Sequence, residues 1–247
     1  MDYQRLLPRA RIGFIIPASN RMVEPQMQRL MPPGIVPHFT RILMRDRDLD
    51  ELLPEIRQAT KLLAESKCDV TVLQCTGTSM SGGVEKEKLV IREMAQVAGR
   101  PALSAASSLM GAFAALQARK LVFISETAQA GHERKLRYLR EAGFDILADK
   151  AVGLPGTDYF CTMPPQLWYD TALSLEQDAT DAYFISCANI HSIDVIEALE
   201  RALGKPVVTS NQAALWCALR TAGFAETVAG LGKLLTLPLA KETAAAE

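Results

Sequence analysis

Two cysteines occupy matching places in this chain, each directly after a short apolar run. Cys75 follows residues 71–74 (TVLQ), and Cys187 follows residues 182–186 (AYFIS). Runs of this length that are rich in β-branched or aromatic residues predict buried strands. The end of such a strand is where an open α/β sheet binds its ligands. We therefore interpret the two thiols as opposed acid/base groups, and free N–H groups in the turn that follows could lower the pKa of each thiol.

Small residues after each cysteine could bring backbone N–H groups close to a carboxylate. Thr76 and Gly77 follow the first cysteine, and Ala188 and Asn189 follow the second. Consecutive N–H groups in such turns form nests that bind anions, and small side chains let a ligand approach the backbone. We predict that these four residues contact an anionic substrate.

Other polar residues allow two interpretations. Asn20 follows the first predicted strand, where it could cap the next helix or bind a carboxylate through its amide. Residues 210–212 (SNQ) follow the predicted strand at 206–209 and allow the same two interpretations. For these residues we favour a helix cap over carboxylate binding. His191 is near the second cysteine in sequence, but a histidine at a helix start is the simpler interpretation. His132 has no visible partner.

The elements that carry these residues recur along the chain. Residues 99–104 (GRPALS) parallel 204–209 (GKPVVT), at an offset of 105; residues 12–15 parallel 121–124, at 109, and the two cysteines are 112 apart. Markers at nearly one offset predict a duplicated unit. Alternating strands and helices predict mostly parallel sheets with helices on both faces. We therefore expect an α/β fold of two pseudo-symmetric Rossmann-like lobes, with the active site in the cleft between them.

This duplication sets the predicted domain organisation. We predict an N-terminal α/β lobe over residues 1–118 and a C-terminal α/β lobe over residues 119–223. A final segment, residues 224–247, could pack back on the N-terminal lobe, and we expect residues 241–247 to form a frayed tail.

Composition argues against several classes of partner and cofactor. The chain has 247 residues and a formal net charge of −1. It shows no basic stripe, so we expect no nucleic-acid or membrane partner. It also has no secretory signal and no apolar run near the roughly 20 residues of a membrane span, which predicts a soluble cytoplasmic protein. No glycine-rich nucleotide motif occurs, so no cofactor is expected.

The remaining cysteines look structural. Five cysteines without a Cys-x-x-Cys pair, and three histidines without ligand spacing, predict neither disulfides nor a metal site. We interpret Cys68, Cys161 and Cys217 as small buried apolar side chains.

Taken together, these motifs resemble those of the Asp/Glu racemase superfamily, in the branch that holds maleate cis–trans isomerases and arylmalonate decarboxylases. The resemblance covers nearly the whole chain. It rests on residues 17–20 (PASN) with Glu24, on residues 75–76 (CT), and on residues 186–189 (SCAN), with the stretch that follows to residue 212.

The resemblance implies chemistry without a cofactor or metal on a small carboxylate substrate. In the isomerases, the first cysteine adds to the double bond as a thiolate and the second acts as acid/base. Transferred here, Cys75 is the nucleophile and Cys187 the acid/base of a maleate-to-fumarate type isomerase of a small dicarboxylate. Asn20 and the backbone after each cysteine would hold the carboxylates. The family also implies a homo-oligomer.

Three alternatives stay open within this resemblance. A two-base racemase would use both thiols. An arylmalonate-type decarboxylase fits less well, because those enzymes resemble this layout but have glycine in place of Cys75. The third is a carboxylate-binding protein without catalysis. The chain also departs from the pattern at two substrate contacts. Thr127 stands where the family has a tyrosine, and Thr157 stands near the position where the isomerases have a substrate-binding asparagine.

Overall fold

The computed structural model describes residues 7–44 and 48–240. The described chain forms two four-stranded sheets with the same strand order. The first comprises β1 (Ala10–Pro17), β2 (Ile35–Ile42), β3 (Val70–Leu73) and β4 (Ala102–Ser104), in the order β2-β1-β3-β4. The second comprises β5 (Lys120–Ser125), β6 (Asp145–Ala151), β7 (Ala182–Ile185) and β8 (Val207–Thr209), in the order β6-β5-β7-β8. Every pairing is parallel, which confirms the predicted α/β class and duplicated topology.

Helices connect these strands, as parallel pairing requires. They are α1 (Val23–Leu30), α2 (Leu49–Glu65), α3 (Thr76–Ser79), α4 (Gly83–Ala98), α5 (Ala105–Leu116), α6 (Gln129–Glu141), α7 (Thr157–Phe160), α8 (Pro165–Leu173), α9 (Ile196–Leu203) and α10 (Ser210–Thr221). Two 3-10 turns cover Ile193–Val195 and Lys233–Thr236. The short helix α3 lies where the sequence predicted a turn after Cys75.

The helices α5 and α10 join the two halves of the molecule. Each begins with a capping box directly after the last strand of its sheet, formed by Ser104 with Ser107 and by Thr209 with Gln212. The two helices pack against each other, and a Cβ at Gly111 would lie 3.5 Å from the Trp216 ring. The main apolar core is therefore continuous across both sheets, and a smaller core fills the outer side of the first sheet.

The C-terminal segment lies against this junction. Trp216 Nε1 donates to the Leu237 carbonyl at 2.9 Å, and the Arg220 guanidinium donates to the carbonyls of Leu235 and Leu237. The turn Lys233–Thr236 contacts both α5 and α10. The domain boundaries at 118 and 223 stay predictions, and the tail at 241–247 lies outside the described residues. None of the described helices has the length and apolar character needed to cross a bilayer.

Candidate active site

One cavity of about 600 Å³ opens where the central strands of both sheets end. Strands β1 and β3 lie at the centre of the first sheet, and β5 and β7 at the centre of the second. Parallel strands direct their carboxyl ends to one edge, so the residues that follow them meet there. The volume lies within the usual range for small-molecule sites. The cavity brings together every residue that the sequence predicted for the site, namely Asn20, Cys75, Thr76, Gly77, Thr127, Thr157, Cys187, Ala188 and Asn189.

Cys75 occupies the N-cap position of the short helix α3, without a capping hydrogen bond from its side chain, and is half-buried in the cavity wall. Its Sγ lies 3.2 Å from the Thr78 hydroxyl oxygen. The N–H groups of the first turn of a helix have no partner within that helix, so the predicted nest is the first turn of α3. A Cβ added at Gly77 would meet no atom within 4 Å, which leaves open space beside this backbone.

Cys187 has a different environment from Cys75. It is buried, and its φ of 117° is a conformation that residues with side chains seldom adopt. Its Sγ accepts a hydrogen bond from the Asn189 N–H at 3.3 Å. Burial, followed by the nearby Glu126 carboxylate, raises the pKa of the Cys187 thiol well above its ordinary value. A lowered pKa is therefore the wrong expectation for this thiol, which stays protonated at neutral pH.

The hydroxyl of Ser210, the first residue of α10, connects the two thiol loops. Its Oγ accepts from the Thr76 hydroxyl at 2.8 Å and from the Cys187 N–H at 3.1 Å. Its backbone carbonyl also accepts from the Gln74 amide at 3.2 Å. One buried serine thus fixes the residue after Cys75 relative to the backbone of Cys187.

Three asparagines join the lobes, and two of them, Asn20 and Asn189, line the cavity. The Asn20 carbonyl oxygen accepts from the N–H groups of Met22 and Val23, and its amide donates to the Ala188 carbonyl at 3.0 Å. The N-cap residue of α1 is Met22, so Asn20 holds the turn before the helix instead of capping it, and carboxylate binding stays a prediction. Asn189 donates to the Thr157 carbonyl at 3.2 Å. Asn211 does not cap α10, because Thr209 and Gln212 do; it binds Ala188, Gln74 and Gln26 instead.

The sequence did not predict three charged residues of the cavity wall, Glu126, Arg134 and Lys135. Lys135 Nζ lies 2.8 and 2.7 Å from the two Glu126 carboxylate oxygens, and both side chains are buried. The exposed Arg134 lines the same cavity. The burial of Lys135 could have been predicted from the sequence. Its spacing from His132 and Leu139 places all three residues on one face of α6, and that face is buried.

His132 also differs from its prediction, because it has two partners. Its Nδ1 lies 2.7 Å from the Ser125 hydroxyl and its Nε2 lies 2.8 Å from an Asp149 carboxylate oxygen. The ring stacks on Phe123 with centroids 4.9 Å apart. This chain of contacts ties the end of β5 to α6 and β6, next to Glu126.

Two further residues near the rim can now be placed. His191 Nε2 lies 3.0 Å from the Cys161 carbonyl. Cys161 is only half-buried and its Sγ lies 3.6 Å from the Arg21 guanidinium, so its interpretation as a core residue is wrong. Among residues 7–44 and 48–240, no group of three or more His, Cys, Asp or Glu side chains is arranged to hold a metal ion.

A family model described as arylmalonate decarboxylase matches residues 12–235. The chain belongs to the arylmalonate decarboxylase family. A maleate isomerase from Nocardia farcinica is 28% identical over 238 residues, which cover 91% of this chain and 95% of that protein. An arylmalonate decarboxylase from Bordetella bronchiseptica is 24% identical over 228 residues, covering 90% and 95%.

A solved relative carries a reaction intermediate. A cysteine-to-serine mutant of the Nocardia farcinica maleate cis–trans isomerase contains a covalently bound succinylcysteine; it is 25% identical, with a TM-score of 0.83, and covers 92% of this chain and 98% of that one. Membership of the arylmalonate decarboxylase family confirms the predicted branch of the Asp/Glu racemase superfamily. These relatives support an isomerase, with decarboxylation as the lesser alternative.

Proposed function

We propose that this protein is a cofactor-independent cis–trans isomerase of a small dicarboxylate, with maleate to fumarate as the leading reaction. One observation carries the proposal: two thiols from equivalent strand ends line one cavity, one half-buried and the other buried. The maleate isomerase relatives and the succinylcysteine in one of them support the same chemistry.

The first step is addition of Cys75 to the double bond. The thiolate sulfur forms a bond to one alkene carbon, and the π electrons move to the neighbouring carbon, where the adjacent carboxylate delocalises them. The backbone N–H groups of Thr76 and Gly77 are placed to stabilise the carboxylate beside the cavity. The C–C bond is now single and can rotate.

The second step is proton transfer by Cys187. Its thiol protonates the carbanion, which gives a succinyl group bonded to Cys75. The Asn189 N–H stabilises the thiolate that forms. After rotation, the Cys187 thiolate removes a proton from the same carbon, the double bond forms again, and the C–S bond breaks. Both thiols return to their starting states and no atom is gained or lost.

Two alternatives use parts of the same site. A two-base racemase would employ both thiols on opposite faces of an α-carbon. A decarboxylase is favoured by the matched family model, although this chain has Cys75 where the decarboxylase pattern has glycine.

Proton NMR with maleate in deuterated buffer tests the proposal. We expect fumarate to form with the wild type, and Cys75→Ala to lower the rate by at least about a thousandfold, as expected for loss of a nucleophile. Cys161→Ala is the matched control, because this thiol lies at the rim without lining the cavity, and it should keep full activity. Equal rates in wild type and Cys75→Ala would refute the mechanism. Deuterium entering the α-position of a recovered amino acid would favour racemisation, and carbon dioxide release from phenylmalonate would favour decarboxylation.

A further inference from the structure

A buried ion pair between Glu126 and Lys135 forms part of the cavity wall, which is unusual for a small-molecule site. Only 6% of Glu126 and 4% of Lys135 are exposed, and both line the cavity that holds the two thiols. A buried ion pair seldom stabilises a fold more than apolar side chains of similar volume would. Its position beside Cys187 therefore points to a role in binding the substrate.

The pair leaves one donor available. A lysine ammonium has three N–H groups, and Glu126 accepts from the ammonium through both of its carboxylate oxygens. Lys135 has no further acceptor within residues 7–44 and 48–240. Glu126 thus fixes the ammonium in place without using all of its hydrogen-bonding capacity.

The two halves of the cavity then differ in what they offer an anion. The N-terminal half offers the backbone N–H groups of α3 beside Cys75, and the C-terminal half offers the Lys135 ammonium. Arg134, exposed at the same wall, has no carboxylate partner within the described ranges and adds positive charge. A ligand with an anionic group at each end can reach both.

We propose that Lys135 binds the second carboxylate of the substrate and that Glu126 positions it, so that this pair selects dicarboxylates. The inference rests on the proposed function, because it names a contact at the same site. Thr127 replaces an aromatic contact expected from the family resemblance, and Lys135 supplies a charged contact on the same wall. The bound carboxylate, Lys135 and Glu126 form a triad whose extra negative charge Arg134 offsets.

Binding without turnover tests this contact. Calorimetry on Cys75→Ala compares maleate with maleamate, in which one carboxylate is replaced by a neutral amide. We expect maleate to bind more tightly by about tenfold to a hundredfold, the range that a charge-assisted hydrogen bond contributes. Adding Glu126→Gln and Lys135→Met together should abolish this preference and leave the maleamate affinity within about threefold.

The double change avoids an unpaired buried charge, so the protein should fold. Should it fail to fold, Lys135→Gln in the Cys75→Ala background decides the question. The neutral amide can still donate a hydrogen bond to Glu126 but offers no positive charge to the ligand, so the preference for maleate should be lost. A preference for maleate that is unchanged in the folded double variant, or in Lys135→Gln, would overturn the inference. Preference for maleate without any turnover would refute only the proposed isomerisation, and turnover without the preference would refute only the role of Lys135.

Discussion

Ser210→Ala tests the bridge that connects the two thiol loops. The substitution removes one hydroxyl and leaves the α10 backbone in place, because Thr209 and Gln212 make the cap. It removes the acceptor of two hydrogen bonds, from Thr76 and from the Cys187 N–H. Both donors are in buried residues, so water cannot easily replace the lost oxygen.

The magnitude follows from these two contacts. A buried donor without an acceptor costs about 1–3 kcal/mol, so losing the acceptor of two donors should lower the free energy of unfolding by about 2–6 kcal/mol. In a chain of this size, 1 kcal/mol changes Tm by about 2–4 °C, which predicts a Tm lower by about 4–24 °C. The strained backbone of Cys187 also loses an anchor. Because a misplacement of about 1 Å can reduce the rate about a hundredfold, kcat should fall by tenfold to a hundredfold.

Urea unfolding and maleate turnover measure the two effects in one preparation. Ser108→Ala is the matched control, since it removes a buried hydroxyl from α5, the counterpart of α10, where Oγ donates to the Ser104 carbonyl. We expect the control to lose about 1 kcal/mol and to keep kcat. The reasoning would be refuted if Ser210→Ala and Ser108→Ala had equal stability and equal kcat.

Three further predictions concern titration and hydrogen bonding. Iodoacetamide at pH 7.5 should alkylate the half-buried Cys75 well before Cys187, whose pKa is raised, and peptide mass spectrometry showing equal labelling would contradict this. Burial raises the pKa of Glu87 to about 7. The folded state therefore holds a proton that the unfolded state releases, and stability should fall by about 3 kcal/mol as the pH rises from 4.5 to above 7. Urea unfolding at pH 5 and pH 8 should show a smaller difference in Glu87→Gln; an equal difference would rule out this carboxyl as the cause. His132→Phe should keep the stack on Phe123 but lose both hydrogen bonds, which lowers stability by about 2–4 kcal/mol in the same assay; unchanged stability would show that these bonds contribute little.

Local patterns were sufficient to predict the architecture. Alternating strands and helices, with markers repeated at similar offsets, predicted two equivalent parallel sheets. Pro37 has no N–H to donate and lies in β2, an edge strand. Helix α7 could not be predicted this way. It is four residues long, and its first carbonyl is held by Asn189 from a distant part of the chain. Tertiary contacts of that kind leave no periodic signal in the sequence.

The polar wall of the site was harder to predict than the thiols. A lysine in an amphipathic helix usually points to solvent, and its carboxylate partner lies nine residues earlier, after a different element. The pairing of Lys135 with Glu126 depends on how α6 crosses the end of β5, and the contact of His132 with Asp149 depends on the pairing of β5 with β6. These are three-dimensional relations between elements.

The duplicated sequence predicts that the two thiols are equivalent, and the structure makes them different. Cys75 has an extended φ of −145° and directly precedes a short helix in the cavity wall. Cys187 has a φ of 117° and is buried, and this burial, followed by the nearby Glu126 carboxylate, raises its pKa. In a two-base racemase the thiols exchange roles between the two directions of reaction, so similar environments would serve it best. An addition needs one accessible nucleophile and one protonated acid, and for this reason the asymmetry favours isomerisation over racemisation.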